Sequence, residues 1–233
     1  MNRCARREIA AAETGSNKRL SLLGSTGSIA EQTLAVASAA PARFEVVALG
    51  AGRKIEKLAD QVRRFRPGLV SVADEAGAAE LRERLGSLQV EVLVGKEGLK
   101  AVAEYPADLV VSALVGAVGL APTLAAIRVG RDVALANKEV MVMAGALVLR
   151  EVKAHRVALL PVDSEHSAIF QALCGQRIED VARLLLTASG GPFRCPPFQC
   201  ASQKDRVKRD LVQRYAAHRI EAPSRSVTHP CTR

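Results

Sequence analysis

The sequence has no tryptophan and only five phenylalanines and two tyrosines in 233 residues, so it lacks the stacked rings that hold single-stranded nucleic acids. Its five cysteines, Cys4, Cys174, Cys195, Cys200 and Cys231, form an odd set with no CxxC pair. That argues against a secreted disulfide framework and for a reducing, cytoplasmic location. Cys195 and Cys200 have no closely spaced Cys or His pair to complete a metal clip. Residues 1–17 lack the apolar core of a secretory signal, carry Glu8 and Glu13, and read as a disordered leader. One uncharged stretch, residues 109–127, has the length of a membrane span, but it contains Gly116, Gly119 and Pro122 and opens with Leu109-Val110-Val111. It reads better as a buried strand, a glycine turn and a helix with Pro122 in its first turn. No membrane partner is expected.

What is present is the balance of a globular protein, 48% hydrophobic and 24% charged. The net charge of +9 suits anionic partners such as phosphates or nucleic acid, but residues 194–233 hold 9 of the basic and only 3 of the acidic side chains. Most of the basicity is therefore a property of the tail. Such a run is ordinarily solvated, and no nucleic-acid partner is assigned to it.

From Lys18 onward, short apolar runs at residues 20–23, 44–49, 69–73, 90–94, 109–113 and 133–136 alternate with amphipathic stretches. Between Lys54 and Phe65, for example, Ile55, Leu58, Ala59, Val62 and Phe65 recur at helical spacing. This alternation predicts an α/β fold with a Rossmann-like, doubly wound parallel sheet, whose ligands bind at the carboxyl ends of strands. After Glu139 come a helix, a strand at 157–160, a helix at 164–173 and a strand at 181–187. The pattern stops at Arg194. Beyond Cys195-Pro196-Pro197 there is no sustained apolar period that could build a core.

Five segments at strand ends carry chemistry. Gly24-Ser25-Thr26-Gly27-Ser28-Ile29-Ala30 joins the first strand to the first helix, where glycines admit a pyrophosphate to the backbone amides and a small Ala30 lets the helix pack closely; alone, such a loop is also an ordinary turn. The second strand ends in Gly50-Ala51-Gly52-Arg53-Lys54, two cations where NAD-binding folds place an acid, which favours a 2′-phosphate and hence NADP over NAD; the alternative is a solvated helix start. Asn137-Lys138-Glu139 follows the sixth strand, with a ligand site and a helix cap at Asn137 weighing evenly. In Pro161-Val162-Asp163-Ser164-Glu165-His166 both carboxylates can reach one hard divalent ion, although spacing alone favours Asp163 or Ser164 as a helix cap. Thr187-Ala188-Ser189-Gly190-Gly191 suits a phosphate or a turn.

Taken together, Gly24–Ile29, Ala136–Glu139, Leu160–His166 and Thr187–Phe193, in this order across residues 18–194, closely resemble the 1-deoxy-D-xylulose 5-phosphate reductoisomerase family. Ala30 stands where that family usually has glycine. The resemblance implies an NADPH-dependent enzyme that converts 1-deoxy-D-xylulose 5-phosphate to 2-C-methyl-D-erythritol 4-phosphate in non-mevalonate isoprenoid synthesis. It implies that Thr26, Gly27, Ser28 and Ile29 hold the pyrophosphate and ribose of NADPH, that Gly52, Arg53 and Lys54 hold its 2′-phosphate end, and that Asn137 and Glu139 lie near the cofactor. Asp163 and Glu165 would ligate Mg²⁺ or Mn²⁺; Lys138, Ser164 and Glu165 would contact the sugar phosphate, Ser189 would take its phosphate, and Lys138, Asp163 and Glu165 would form the catalytic set. The implied organisation is a leader at 1–17, an NADPH-binding domain at 18–149, the start of an α+β catalytic domain, truncated, at 150–194, and a basic, disordered tail at 195–233. A homodimer is expected of the intact family member.

The family continues with a His-Pro-Asn-Trp lid, an Asn-Lys-Gly-Leu-Glu motif and a C-terminal helical domain, none of which is present, and residues 204–233 contain no Asn. Residues 195–233 are therefore expected to be an out-of-frame reading. The alternative to an enzyme is an inactive fragment that retains at most NADPH binding, and poor solubility is expected of its open sheet edge.

Overall fold

The computed structural model describes residues 17–177 and 180–184. Seven parallel strands form one sheet: β1 (Lys18–Leu23), β2 (Phe44–Gly50), β3 (Leu69–Val72), β4 (Glu91–Val94), β5 (Leu109–Ser112), β6 (Asp132–Leu135) and β7 (Leu159–Pro161). Their order is β4-β3-β2-β1-β5-β6-β7. The helices between and after them are α1 (Ser28–Ala39), α2 (Ile55–Phe65), α3 (Glu75–Leu85), α4 (Gly95–Glu104), α5 (Leu120–Arg128), α6 (Lys138–His155) and α7 (Ser164–Ala172).

Each expected strand through residue 160 appears within two residues of its predicted ends, because a parallel sheet covered on both faces demands continuous apolar runs. Leu20, Leu22, Val70 and Val72 pack with α1, α2 and α3 on one face. Leu23, Ala48, Val110, Val133 and Leu135 pack with α4, α5 and α6 on the other. Right-handed crossovers require this division: the chain steps outward from β1 to β4, then returns through α4 to the opposite side of β1 and steps outward again. Two polar groups inside the sheet are satisfied locally. Ser21 Oγ donates to the Val102 carbonyl at 2.6 Å, and Ser112 and Thr123 share a hydroxyl hydrogen bond at 2.9 Å.

The uncharged stretch 109–127 divides as expected into β5, a 3-10 turn at Gly116–Gly119 and α5, with Pro122 in the first helical turn. No helix among the described residues is long and apolar enough to cross a membrane. The boundary expected at residue 149 falls inside α6, and β7 beyond it hydrogen-bonds to β6 in the same sheet. The strand expected at 181–187 is not seen in its described part, residues 181–184. Its remainder, like the leader through residue 16 and the tail from 195, lies outside the described residues.

At the amino ends of β1 and β5, Arg19 grips Asp108: Nη2 lies 3.1 Å from Oδ1, and the Arg19 backbone N–H donates to Oδ2 at 2.8 Å. Partial burial works to raise the Asp108 pKa, but the hydrogen bonds from the Arg19 side chain and backbone outweigh it and hold the carboxyl below its ordinary value. A carboxylate whose folded pKa is depressed adds stability above its unfolded pKa, about 3.9, and loses it as pH falls through the folded value. Because the pair is partly exposed, Asp108→Asn is expected to destabilise the fold by only about 0.5–1 kcal/mol at pH 7. Urea titrations should show that difference from wild type shrinking below about pH 4.

Candidate functional site at the carboxyl edge of the sheet

Because all seven strands are parallel, the segments singled out at 24–30, 50–54, 137–139 and 161–166 emerge on one edge. The winding direction reverses at β1, so a crevice opens between the carboxyl ends of β1 and β5. The glycine loop floors it. Gly24 has φ +86°, and its N–H and that of Ser25 both donate to the Gly50 carbonyl at 2.8 Å. The Gly27 N–H donates to the Gly24 carbonyl at 3.0 Å and closes the turn. A Cβ on Gly24 would stand 2.8 Å from the Ala113 carbonyl oxygen, so the loop lies directly against the end of β5.

Thr26 is buried in the loop, and Gly27 occupies the N-cap of α1 with no side chain bonded to the first-turn amides. Those amides at Ser28 and Ile29, with the positive end of the helix dipole, face the crevice edge. Ala30 is fully buried against the sheet, as close helix packing requires. One strand over, Gly52, Arg53 and Lys54 are exposed between β2 and α2, and a Cβ on Gly52 would meet nothing within 4 Å.

On the other side of the crevice, Asn137 lies between β6 and α6 and is 2% exposed. Its Oδ1 accepts from the Val140 N–H at 3.3 Å and caps α6, while its Nδ2 donates to the Gly116 carbonyl at 2.9 Å. The side chain is thus engaged with protein, and its structural role as a cap is realised. Glu139 is half-buried in the first turn of α6. Lys138 is exposed and reaches across to β7, with Nζ 3.1 Å from Asp163 Oδ2. Asp163 sits at the N-cap of α7, yet its carboxylate makes no capping bond. Its Oδ1 lies 3.2 Å from Nδ1 of the buried His166, a contact without hydrogen-bond geometry. Ser164 Oγ donates to Glu165 Oε2 at 2.9 Å, which keeps that carboxylate beside the start of α7.

Lys138, Asp163, Ser164 and Glu165 are therefore brought together at β6 and β7, and the loops of β1 and β2 lie on the far side of β5. With neighbouring strands about 4.8 Å apart, β2 to β7 spans about 19 Å, long enough for an extended dinucleotide with a small molecule beside it. Ser189 lies outside the described residues.

Three features escaped the sequence reading. The Leu114-Val115-Gly116 segment after β5 faces the crevice, with Val115 84% exposed and Gly116 at φ +74°. Its signal, two glycines inside an uncharged stretch, suggested a turn without a role. Close packing explains the second glycine there, since a Cβ on Gly119 would collide with Asn137 Nδ2. His166 was visible only as a motif letter. Gln61 is buried under the glycine loop, although nothing in its helical periodicity distinguishes it from a surface position.

The fold, with a glycine loop at the reversal point of its strands, defines a class: the Rossmann-type α/β proteins. Within it, the family model for 1-deoxy-D-xylulose 5-phosphate reductoisomerase matches residues 20–145. A second model, for that family's C-terminal domain, matches residues 159–211 and so runs past Arg194. The chain belongs to the 1-deoxy-D-xylulose 5-phosphate reductoisomerase family. It is 58% identical over 178 residues to the reductoisomerase of Chlorobium phaeobacteroides, covering 76% of this chain and 47% of that one. It is 57% identical over 181 residues to that of Chlorobaculum tepidum, covering 77% and 47%. The reductoisomerase of Zymomonas mobilis in complex with NADPH superposes with TM-score 0.65 at 42% identity, covering 67% of this chain and 41% of that one. A crystal structure of DOX-P reductoisomerase with NADPH, fosmidomycin and magnesium gives 0.64 at 40% identity, covering 66% and 38%. The chain spans about half the length of the curated relatives it matches.

Proposed function

We propose that this chain carries the NADPH site and part of the metal and substrate site of an enzyme that converts 1-deoxy-D-xylulose 5-phosphate to 2-C-methyl-D-erythritol 4-phosphate. The observation that supports this most directly is the order of groups along one sheet edge. Cations for a 2′-phosphate at β2, a pyrophosphate loop at β1, and Lys138 beside Asp163 and Glu165 at β6 and β7 follow the sequence in which cofactor and substrate would lie.

The residues fit both groups. The Gly24, Ser25 and Gly27 amides are spent on backbone carbonyls that shape the loop, and no side chain caps α1, which leaves its first-turn amides at Ser28 and Ile29 for an anion. Asp163 Oδ1 is buried and accepts no hydrogen bond, and Glu165 adds a second hard oxygen donor two residues on, the donor type that Mg²⁺ or Mn²⁺ prefers. Among the described residues no group of three such side chains is assembled.

When bound, the metal would polarise the substrate carbonyl, and NADPH would supply hydride to the rearranged aldehyde. The chain's own residues do the positioning. Thr26, Gly27, Ser28 and Ile29 orient the pyrophosphate and ribose, and Gly52, Arg53 and Lys54 fix the 2′-phosphate. Asn137 and Glu139 shape the wall near the cofactor. Lys138 holds a positive charge beside the substrate oxygens and is itself steadied by Asp163; Ser164 contacts the substrate and Ser189 its phosphate. A homodimer, a cytoplasmic location and the lack of a nucleic-acid partner belong to the same proposal.

Among the described residues only two candidate metal carboxylates come together, which favours a second reading, nucleotide binding without turnover. The two are separated by following NADPH absorbance with 1-deoxy-D-xylulose 5-phosphate and Mn²⁺, alongside NADPH fluorescence for binding. Substrate-dependent oxidation that EDTA stops while binding survives supports the enzyme. Binding without oxidation supports the second reading, and absence of binding overturns both.

A further inference from the structure

Helix α2 holds the glycine loop from below at two points. Gln61, 8% exposed, donates from Nε2 to the Ser25 carbonyl at 2.9 Å. One turn earlier on the same face, Lys57 pairs with Glu31 in the first turn of α1. These contacts bracket Gly27 and Ser28, where the loop turns into α1 and its uncapped first-turn amides begin. The same helix begins immediately after Arg53 and Lys54. It is therefore a single rigid strut, with the 2′-phosphate end at its amino terminus and the pyrophosphate loop clamped to its side.

Burial of an amide in an otherwise apolar interior is costly unless it does a job that a leucine could not. Leucine or methionine would fill this position as well, since Ile55, Leu58, Ala59 and Val62 on α2 are all core residues. What they could not do is bind the Ser25 carbonyl and so fix the peptide plane at the centre of the loop. We infer that Gln61 is a positioning residue for the pyrophosphate-binding loop, acting through the Ser25 peptide and touching no ligand itself. The inference deepens the NADPH site proposed above and rests on it.

The test uses the full chain, titrated with NADPH and separately with NADH, and compares wild type with Gln61→Met and Gln61→Glu at temperatures well below the melting point of each. Because both nucleotides share the pyrophosphate, both affinities are expected to fall together by roughly five- to tenfold, the loss typical of one organising hydrogen bond. The ratio between them should stay unchanged. A role confined to stability would lower Tm and leave both affinities in place, which would overturn the inference, as would loss of NADPH binding alone. Hydrogen exchange at the Ser25 and Gly27 amides without nucleotide gives a second readout: faster exchange in Gln61→Met is expected, and unchanged exchange overturns the clamp even if a variant melts too early to titrate. A wild-type chain that binds no NADPH is a different result, and overturns the cofactor reading together with the clamp's part in it.

Discussion

Replacing both Arg53 and Lys54 with alanine is expected to weaken NADPH binding about a hundredfold while changing NADH binding less than about twofold, on the scale of two charge-assisted hydrogen bonds to a phosphate. The two nucleotides differ only at the 2′-phosphate, so the ratio isolates the β2 end of the site. No acid stands in Gly50-Ala51-Gly52 to take a free 2′-hydroxyl, and both cations are exposed where β2 gives way to α2. Fluorescence titration with each nucleotide checks the result. Equal losses for NADPH and NADH would mean that the cations serve the fold or the pyrophosphate instead.

The largest effect on stability is expected from Gly24→Ala. Its φ of +86° is a conformation that costs an L-residue about 1–2 kcal/mol. The added methyl would also meet the Ala113 carbonyl oxygen at 2.8 Å, a backbone atom that cannot swing away because the Ala113 N–H is bonded to the Leu23 carbonyl at 2.9 Å. A total loss of about 3 kcal/mol is expected by urea denaturation, with NADPH binding lost because the loop and the end of β5 are forced apart. Gly52→Ala is the matched control. With nothing within 4 Å of its Cβ, it should change stability by less than about 0.5 kcal/mol.

The contrast between those two glycines shows what the sequence could convey. Strands and helices through α7 were legible because burial on both faces writes continuous apolar runs, and amphipathic helices write a three-to-four spacing. The glycine loop was legible because few residues other than glycine tolerate Gly24's conformation beside the end of another strand. Arg53 and Lys54 were legible as charges where an acid is usual. Gln61 was not, because its partner is a carbonyl 36 residues away and a single buried amide leaves no periodic trace. The Asn137 bond to Gly116 likewise depends on a contact across 21 residues. At Asp163, spacing favoured a helix cap, but the structure shows an uncapped N-cap position, its carboxylate drawn to Lys138 at the start of α6. The run at 181–187 had the composition of a strand, but its described part, residues 181–184, is not one.

The pairing of β1 with β5 has a consequence for the order of assembly. Arg19 and Asp108 meet across 89 residues, so the central ladder of the sheet cannot close until four further units of strand and helix have been made. During synthesis, β1 to β4 can pair with one another as they emerge, whereas the crevice has only one wall until β5 arrives. The proposed nucleotide site would thus be built by the longest loop closure in the sheet, and a nucleotide that bridges both walls would act chiefly by slowing their separation.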